Sequence, residues 1–173
     1  MNAFLDLAVE KHGVKRFVLP SGSSLTKDRY YTGQVWQHLE DVGVDHTVLL
    51  AAWFTDGKVP FVSATDIATV AFHALTDTNP HNTDYRIPSP ELLTYDEIAA
   101  KISSGLGRKV VHVKRSEQER VHKFMSMHMP EQFARFMTSL EVSSANGTED
   151  RMNDVVENMT GRPPQGMCQT WTG

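Results

Sequence analysis

The residues best placed to do chemistry are Ser21 and Ser23, in the turn Ser21-Gly22-Ser23-Ser24, followed by Tyr30 and Gln34. Tyr30 and Gln34 are one helical turn apart and share a face. Hydroxyls and a phenol grouped in this way can donate hydrogen bonds to a carbonyl or imine. A phenol titrates near 10, so at pH 7 about one in a thousand is ionised. A neighbouring lysine lowers that value by roughly 1–3 units, and the glutamine that stands there cannot. Tyr30 is therefore expected to act as a donor or general acid rather than a ready base, and the plain alternative is a turn beside a surface aromatic pair. Ser23 and Tyr30 are the candidate catalytic residues, with Ser21 and Gln34 beside them at the substrate.

A second group is apolar. Phe124, Met125, Met127, Met129, Phe133, Phe136 and Met137 cluster in sequence, which by default is core. Adaptable methionines also line pockets for bulky apolar ligands. Phe124, Met125, His128, Phe133 and Met137, with Trp53 and Phe54, are the candidate substrate walls. The eight histidines make no metal pattern, and no H-E-x-x-H occurs. His112, between Val111 and Val113, reads as a solvent-facing strand residue. Cys168 stands alone, which excludes an internal disulfide and a cysteine metal cluster.

The elements that must position these groups alternate. Phe4, Leu7 and Ala8 have helical spacing, and Gly13 suits a helix stop. Arg16-Phe17-Val18-Leu19 reads as a short buried strand ending in the serine turn. Asp28 to Asp41 is a helix with Val35, Leu39 and Val42 inward, and Val44 to Ala52 is an apolar run of a strand covered on both faces. Pro60 to Ser63 is a strand feeding a helix with Ile67, Val70, Ala71, Ala74 and Leu75 inside, and Asp84 to Ile87 is a further strand. Thr94-Tyr95-Asp96-Glu97 and Ser116-Glu117-Gln118-Glu119 are capping boxes. Val110 to Val113 reads as a last strand, Pro130 as the first position of another helix, and Glu149 to Met159 as the final helix. Strand–helix alternation of this kind implies a parallel sheet built from crossover units.

A parallel sheet raises the question of a nucleotide. A dinucleotide turn needs G-x-G-x-x-G between a strand and the next helix, so that backbone N–H groups reach the pyrophosphate. Gly105-Leu106-Gly107 has no third glycine and follows a helix, so it reads as a helix stop. A P-loop is also absent. The sequence therefore predicts that the chain alone holds no NAD(P) and takes no cofactor. Lys and Arg number 17 against 21 Asp and Glu, a net charge of −4, which disfavours nucleic-acid phosphates as partners. The longest apolar runs are too short to span a bilayer, and the first residues lack the basic region of a secretory signal. A cytoplasmic protein with a small-molecule substrate, no nucleic acid and no membrane is the expectation.

Several stretches resemble the NmrA-like atypical short-chain dehydrogenases, most closely the ergot-alkaloid dehydrogenase group of fungi. They are Gly13 to Leu19, Gly43-Val44 to Trp53-Phe54, Gly57-Lys58-Val59-Pro60-Phe61-Val62-Ser63-Ala64-Thr65-Asp66-Ile67-Ala68, Asp84-Tyr85 through Leu92-Leu93-Thr94-Tyr95-Asp96-Glu97, Gly107-Arg108-Lys109 and Thr160-Gly161-Arg162-Pro163-Pro164. The Ser…Tyr-x-x-x-Lys arrangement of short-chain dehydrogenases is approached by Ser23, Tyr30 and Gln34, with glutamine in place of lysine. The resemblance implies an α/β fold, a reduced or truncated Rossmann-like parallel sheet with flanking helices and a helical C-terminal part. It implies one domain over residues 1–173, with 1–56 the remnant Rossmann half and 57–173 the substrate-binding part. The family's first strands and their NADP-holding glycine loop have no counterpart before Met1. Between Phe54 and Gly57 the family's longer segment is reduced to Thr55-Asp56.

The expectation that follows is a cofactor-independent cyclase or isomerase of fungal secondary metabolism, acting on a bulky apolar alkaloid- or terpenoid-like substrate. Orientation and a few fixed dipoles would accelerate such a reaction. The alternatives are a non-catalytic accessory or regulatory protein, and an NADPH-dependent reductase completed by a partner chain. The strand Arg16 to Leu19 would also present an unpaired apolar edge, so a homodimer is expected.

Overall fold

The computed structural model describes residues 1–23, 25–27, 31–51, 59–60, 62–87, 90–143 and 153–166. Its elements are α1 (Asn2–His12), β1 (Arg16–Gly22), α2 (Thr32–Val42), β2 (Asp45–Ala51), β3 (Val59–Pro60), α3 (Ala64–Thr76), β4 (Thr83–Ile87), β5 (Leu92–Leu93), α4 (Tyr95–Leu106), α5 (Glu117–Ser126), α6 (Glu131–Ser143) and α7 (Val155–Thr160). β1, β2 and β4 form a parallel sheet in the order β1-β2-β4, while β3 and β5 pair antiparallel as a small separate ribbon. The fold is α/β, a three-strand parallel sheet flanked by helices with a helical C-terminal part.

Strand periodicity sorts the core into two layers. Leu19, Val48 and Leu50 face one way and pack with Leu5 of α1 and Val35 and Leu39 of α2. Leu49 and Ile87 face the other way and pack with Val70 of α3 and Val156 of α7. β2 is covered on both faces, and Val48, Leu49 and Leu50 are almost fully buried. Among the described residues four helices stop at a glycine in the left-handed region, including Gly13 (φ 63°) and Gly107 (φ 61°), where a side chain would be strained.

Both capping boxes form. Thr94 Oγ accepts from the Glu97 amide at 3.2 Å, Ser116 Oγ accepts from the Glu119 amide at 3.3 Å, and each glutamate returns a bond to its cap.

Several expectations fail for local reasons. Residues 110–113 form no strand; instead Ser103 Oγ bonds the Val110 backbone at both its N–H and C=O. His112 points inward, its ring stacked on Tyr95 with centroids 4.9 Å apart, and Val111 and Val113 take the solvent. The alternation was legible, but its polarity is inverted because an imidazole gains more from an aromatic face and Asp96 at 3.7 Å than valine would. In α1 the buried pair is Leu5 and Ala8, leaving Phe4 and Leu7 exposed, and Val42 and Leu75 are also exposed. Pro130 precedes the first turn of α6 and its carbonyl accepts from the Ala134 amide. The expected starts at Asp28 and Glu149 lie outside the described residues, but neither helix runs unbroken from there: α2 begins at Thr32 because Tyr31 takes φ 57°, and α7 begins at Val155, after the non-helical Asn153 and Asp154. No helix among the described residues is long and apolar enough to cross a membrane.

Candidate functional site

The register brings three positions onto one face at the carboxyl end of the sheet. Ser21 is opposite Leu50, and Leu50 is opposite Arg86. Ser23 follows two residues on from Ser21, and its amide donates to the Ala51 carbonyl at 2.8 Å, extending the β1–β2 ladder by one bond. Ligands of open parallel sheets bind beyond these ends.

Ser23 is 6 % exposed, and its Oγ is enclosed without a hydrogen-bond partner. A buried hydroxyl left unpaired costs roughly 1–3 kcal/mol. The neighbouring polar groups are tied down. Ser21 Oγ lies 2.7 Å from Thr32 Oγ1, so the end of β1 is fastened to the first residue of α2. Arg86 reaches across the end of β2 and its Nη1 donates to the Ser23 carbonyl at 3.0 Å. Asn153, just before α7, donates to the Arg86 carbonyl at 3.0 Å and anchors that strand end from below.

The helix that starts here is also incomplete at its tip. Tyr31 precedes α2 with φ 57° and ψ −116°, and no side chain caps the first turn. A tyrosine in that region is strained by roughly 1–3 kcal/mol. Its ring is held by α6, with centroids 5.3 Å from Phe133 and 5.2 Å from Phe136. An orphan hydroxyl, a strained tyrosine, uncapped amides and an arginine without a carboxylate partner among the described residues thus meet at one end of the sheet.

The expected site residues divide. Ser21, Ser23 and Phe133 belong to this end, Phe133 through Tyr31. Gln34 is on α2 but exposed. Phe124 lies in a separate cavity of about 170 Å³ with Val113, Arg115, Arg120, Lys123 and Glu141. Met125 is 40 % exposed, and His128 is exposed at the α5–α6 turn with φ 64°. Met137 is half-buried on α6. Phe124 thus lines that cavity, whereas Phe133 packs on Tyr31. Tyr30, Trp53 and Phe54 lie outside the described residues.

Arg86 and Tyr31 were missed in the sequence. Arg86 had a signal: a cation flanked by Tyr85 and Ile87 in a strand, hence on the opposite face from both. What it reaches is a tertiary fact with no sequence signature.

A larger cleft of about 730 Å³ lies among Pro90, Glu91 and residues 162–166. Its polar groups are paired. Arg162 Nη1 sits 2.8 Å from Asp66 Oδ1, off the line of its N–H, so that contact is ionic, and Asp66 Oδ2 accepts from the Gln165 amide at 2.7 Å. Lys101 donates to Glu91 at 2.9 Å. These bonds strap the C-terminal segment to the start of α3.

The NmrA-like family profile matches residues 9–162. Festuclavine synthase I of Penicillium roqueforti is 37% identical over 190 residues, covering 95% of this chain and 66% of that protein. Agroclavine dehydrogenase of Claviceps fusiformis is 36% identical, covering 94% and 65%. The chain thus spans about two thirds of the length of these curated relatives. Among solved structures, an NADPH-dependent quinone oxidoreductase from Escherichia coli superposes with a TM-score of 0.74 at 16% identity, covering 98% of this chain and 70% of that one. A nucleoside-diphosphate-sugar epimerase from Staphylococcus aureus gives 0.75 at 16%, covering 95% and 67%. At such identities the likeness is one of fold.

The expectation of a cofactor-independent cyclase or isomerase is overturned by these relatives. Those at 33–36% identity include proteins named as agroclavine and festuclavine dehydrogenases, and the fold neighbours include an NADPH-dependent quinone oxidoreductase and a triphenylmethane reductase.

Proposed function

The chain belongs to the NmrA-like family, and on that premise we propose that it serves an NAD(P)-dependent reductase of small organic electrophiles, of the kind fungal alkaloid pathways use. The observation that carries this reading is the enclosed, unpartnered hydroxyl of Ser23 at the carboxyl end of the sheet. That is where a reducible substrate and the reacting end of a dinucleotide fit this fold. Such a cofactor, when bound, would supply a hydride to the substrate's electrophilic atom, and the substrate's heteroatom would take the displaced electron pair and a proton from water.

This chain's residues have separate tasks. Ser23 donates to the heteroatom and holds it. Arg86 and the Ser21–Thr32 bond keep the turn in place. Tyr31, backed by Phe133 and Phe136, forms an aromatic flank, and Tyr30 is the adjoining candidate donor. Ser23 fits the reacting end of the cofactor; nothing in the 173 residues reads as a pyrophosphate turn. The reading therefore requires a phosphate cradle from outside them, in a longer chain or a partner chain. The open edge of β1 is the surface we assign to a second copy, and light scattering tests it through a mass of about twice 19.4 kDa.

Saturation-transfer NMR with millimolar NADPH tests the reductase reading on the chain itself. Nicotinamide protons are expected to receive more saturation than adenine protons. Equal or absent transfer, together with no oxidation of NADPH in the presence of quinones, overturns the proposal.

A further inference from the structure

We propose that Ser23, Arg86 and the first turn of α2 form an anion-holding site, so that the electrophile this chain accepts is one whose oxygen becomes negatively charged, a quinone or a conjugated carbonyl, rather than a cationic imine. The inference rests on the reductase reading for its purpose and on geometry for its existence.

Three independent features converge. Ser23 is 94 % buried, and its hydroxyl has no hydrogen-bond partner. The guanidinium of Arg86 is half-buried, is bonded by Nη1 to the Ser23 carbonyl, and has no carboxylate against it among the described residues. This arginine stands where the strands end. The 11-residue helix α2 opens at the same place, tied in through Ser21 and Thr32, and its first-turn amides lack a side-chain cap. A helix N-terminus carries a partial positive charge that favours an anion. A hydroxyl donor, a cation and a helix tip are thus held at one strand end, joined by the Arg86–Ser23 and Ser21–Thr32 bonds. Fixed donors of this kind stabilise charge as it develops on a reacting oxygen, with no reorganisation to be done at that moment. The same charges repel a cationic substrate.

An anionic oxygen could come from a substrate or from a phosphate. The aromatic flank of Tyr31, Phe133 and Phe136 favours the substrate, because a phosphate gains nothing from aromatic rings.

The probe is 4-nitrophenolate, whose ionisation is read from its own absorbance without any cofactor or turnover. Wild-type protein is expected to bind the phenolate at least about tenfold more tightly than the neutral methyl ether 4-nitroanisole. The bound phenol's apparent pKa should accordingly fall by about one unit. Arg86→Gln is expected to abolish the preference, Arg86→Lys to keep part of it, and Ser23→Ala to weaken phenolate binding several-fold. Inorganic phosphate at 10 mM is expected not to displace the phenolate. Equal binding of phenolate and ether by the wild type, or displacement by phosphate, overturns the proposal, as does a preference that survives in folded Arg86→Gln. Circular dichroism establishes folding, and should the glutamine variant unfold, the wild-type comparison and the lysine variant decide. Because no NADPH is present, a protein that binds phenolate and never oxidises NADPH would refute the reductase reading and leave this site standing.

Discussion

The two ends of the parallel sheet each carry a cluster of polar side chains, but one is closed on itself and the other is not. At the amino end, between α3 and β4, Asp77 receives His73 Nδ1 at 3.2 Å and His81 Nε2 at 3.1 Å, and His81 Nδ1 lies 2.8 Å from the Tyr85 hydroxyl. A carboxylate only accepts, so Nε2–H of His81 donates to it. In the neutral ring, Nδ1 then accepts from the phenol. Burial and the nearby charge of Asp77 push the Tyr85 phenol above its usual range, which keeps it a donor. Arg16 completes the cluster by donating to the Leu75 and Asp77 carbonyls at 3.1 and 2.6 Å. Titratable groups are dense here, yet each is used on another. At the carboxyl end, among the described residues, the hydroxyl of Ser23 is left over. A site is marked by what is unsatisfied more than by how many ionisable residues gather.

The contrast can be broken by mutation, and the effects fall in order. The largest loss of stability is expected at the rim of the carboxyl end, from Arg162→Ala. That change strands Asp66, which is 1 % exposed. Breaking a fully buried pair costs about 3–5 kcal/mol. With Arg162 itself about a third exposed, about 2–3 kcal/mol is expected, a fall in Tm of roughly 5–10 °C by calorimetry. No change in Tm would mean the strap is ornamental.

Tyr85→Phe is next, losing about 1 kcal/mol by urea unfolding because it removes a made hydrogen bond. The corresponding deletion at the other end, Ser23→Ala, is expected to cost nothing or to stabilise slightly, since its bond is not made in the free protein. Equal losses at both positions would show that Ser23 has a partner and that the ends do not differ.

The smallest effect concerns acid. The hydrogen bonds from His73 and then His81 hold the Asp77 carboxyl below its ordinary value of 3.8. A folded-state value lower than the unfolded one gives stability that is fully present above about 3.8 and is lost as pH falls through the folded value. Asp77→Asn is therefore expected to flatten the loss of stability below about pH 4 and to change little at neutral pH. An unchanged acid limb would contradict this.

How much of this was legible follows from the range of each signal. The alternation of α2, β2, α3 and β4 and both capping boxes were readable because they are local patterns of period and spacing. The serine turn at the end of β1 was only half readable: the strand was expected to close at Pro20, but β1 runs on through Pro20 and Ser21 to Gly22, paired with Leu49, Leu50 and Ala51. The β3–β5 ribbon was only half seen: Pro60 to Ser63 was read as a strand, but Leu92–Leu93 is two residues long and pairs across α3 and β4. Arg86 could be placed on the face opposite Tyr85 and Ile87, but its reach to Ser23 depends on the order β1-β2-β4, which periodicity does not encode. The apolar run from Phe124 to Met137 was read as one wall. In fact the turn at His128 separates α5 from α6, so Phe124 and Met125 sit on one helix and Phe133 and Met137 on the next.

The most direct test sets the two ends against each other in one assay. NADPH-linked reduction of a quinone is measured for wild type, Ser23→Ala and Tyr85→Phe, with folding checked for each. Losing one preorganised donor costs on the order of 10²–10³ in rate, so Ser23→Ala is expected to fall by about 10² in kcat/KM while Tyr85→Phe stays within about twofold of wild type. Turnover retained in Ser23→Ala, or lost equally in both variants, would contradict the placement of the chemistry at the carboxyl end of the sheet.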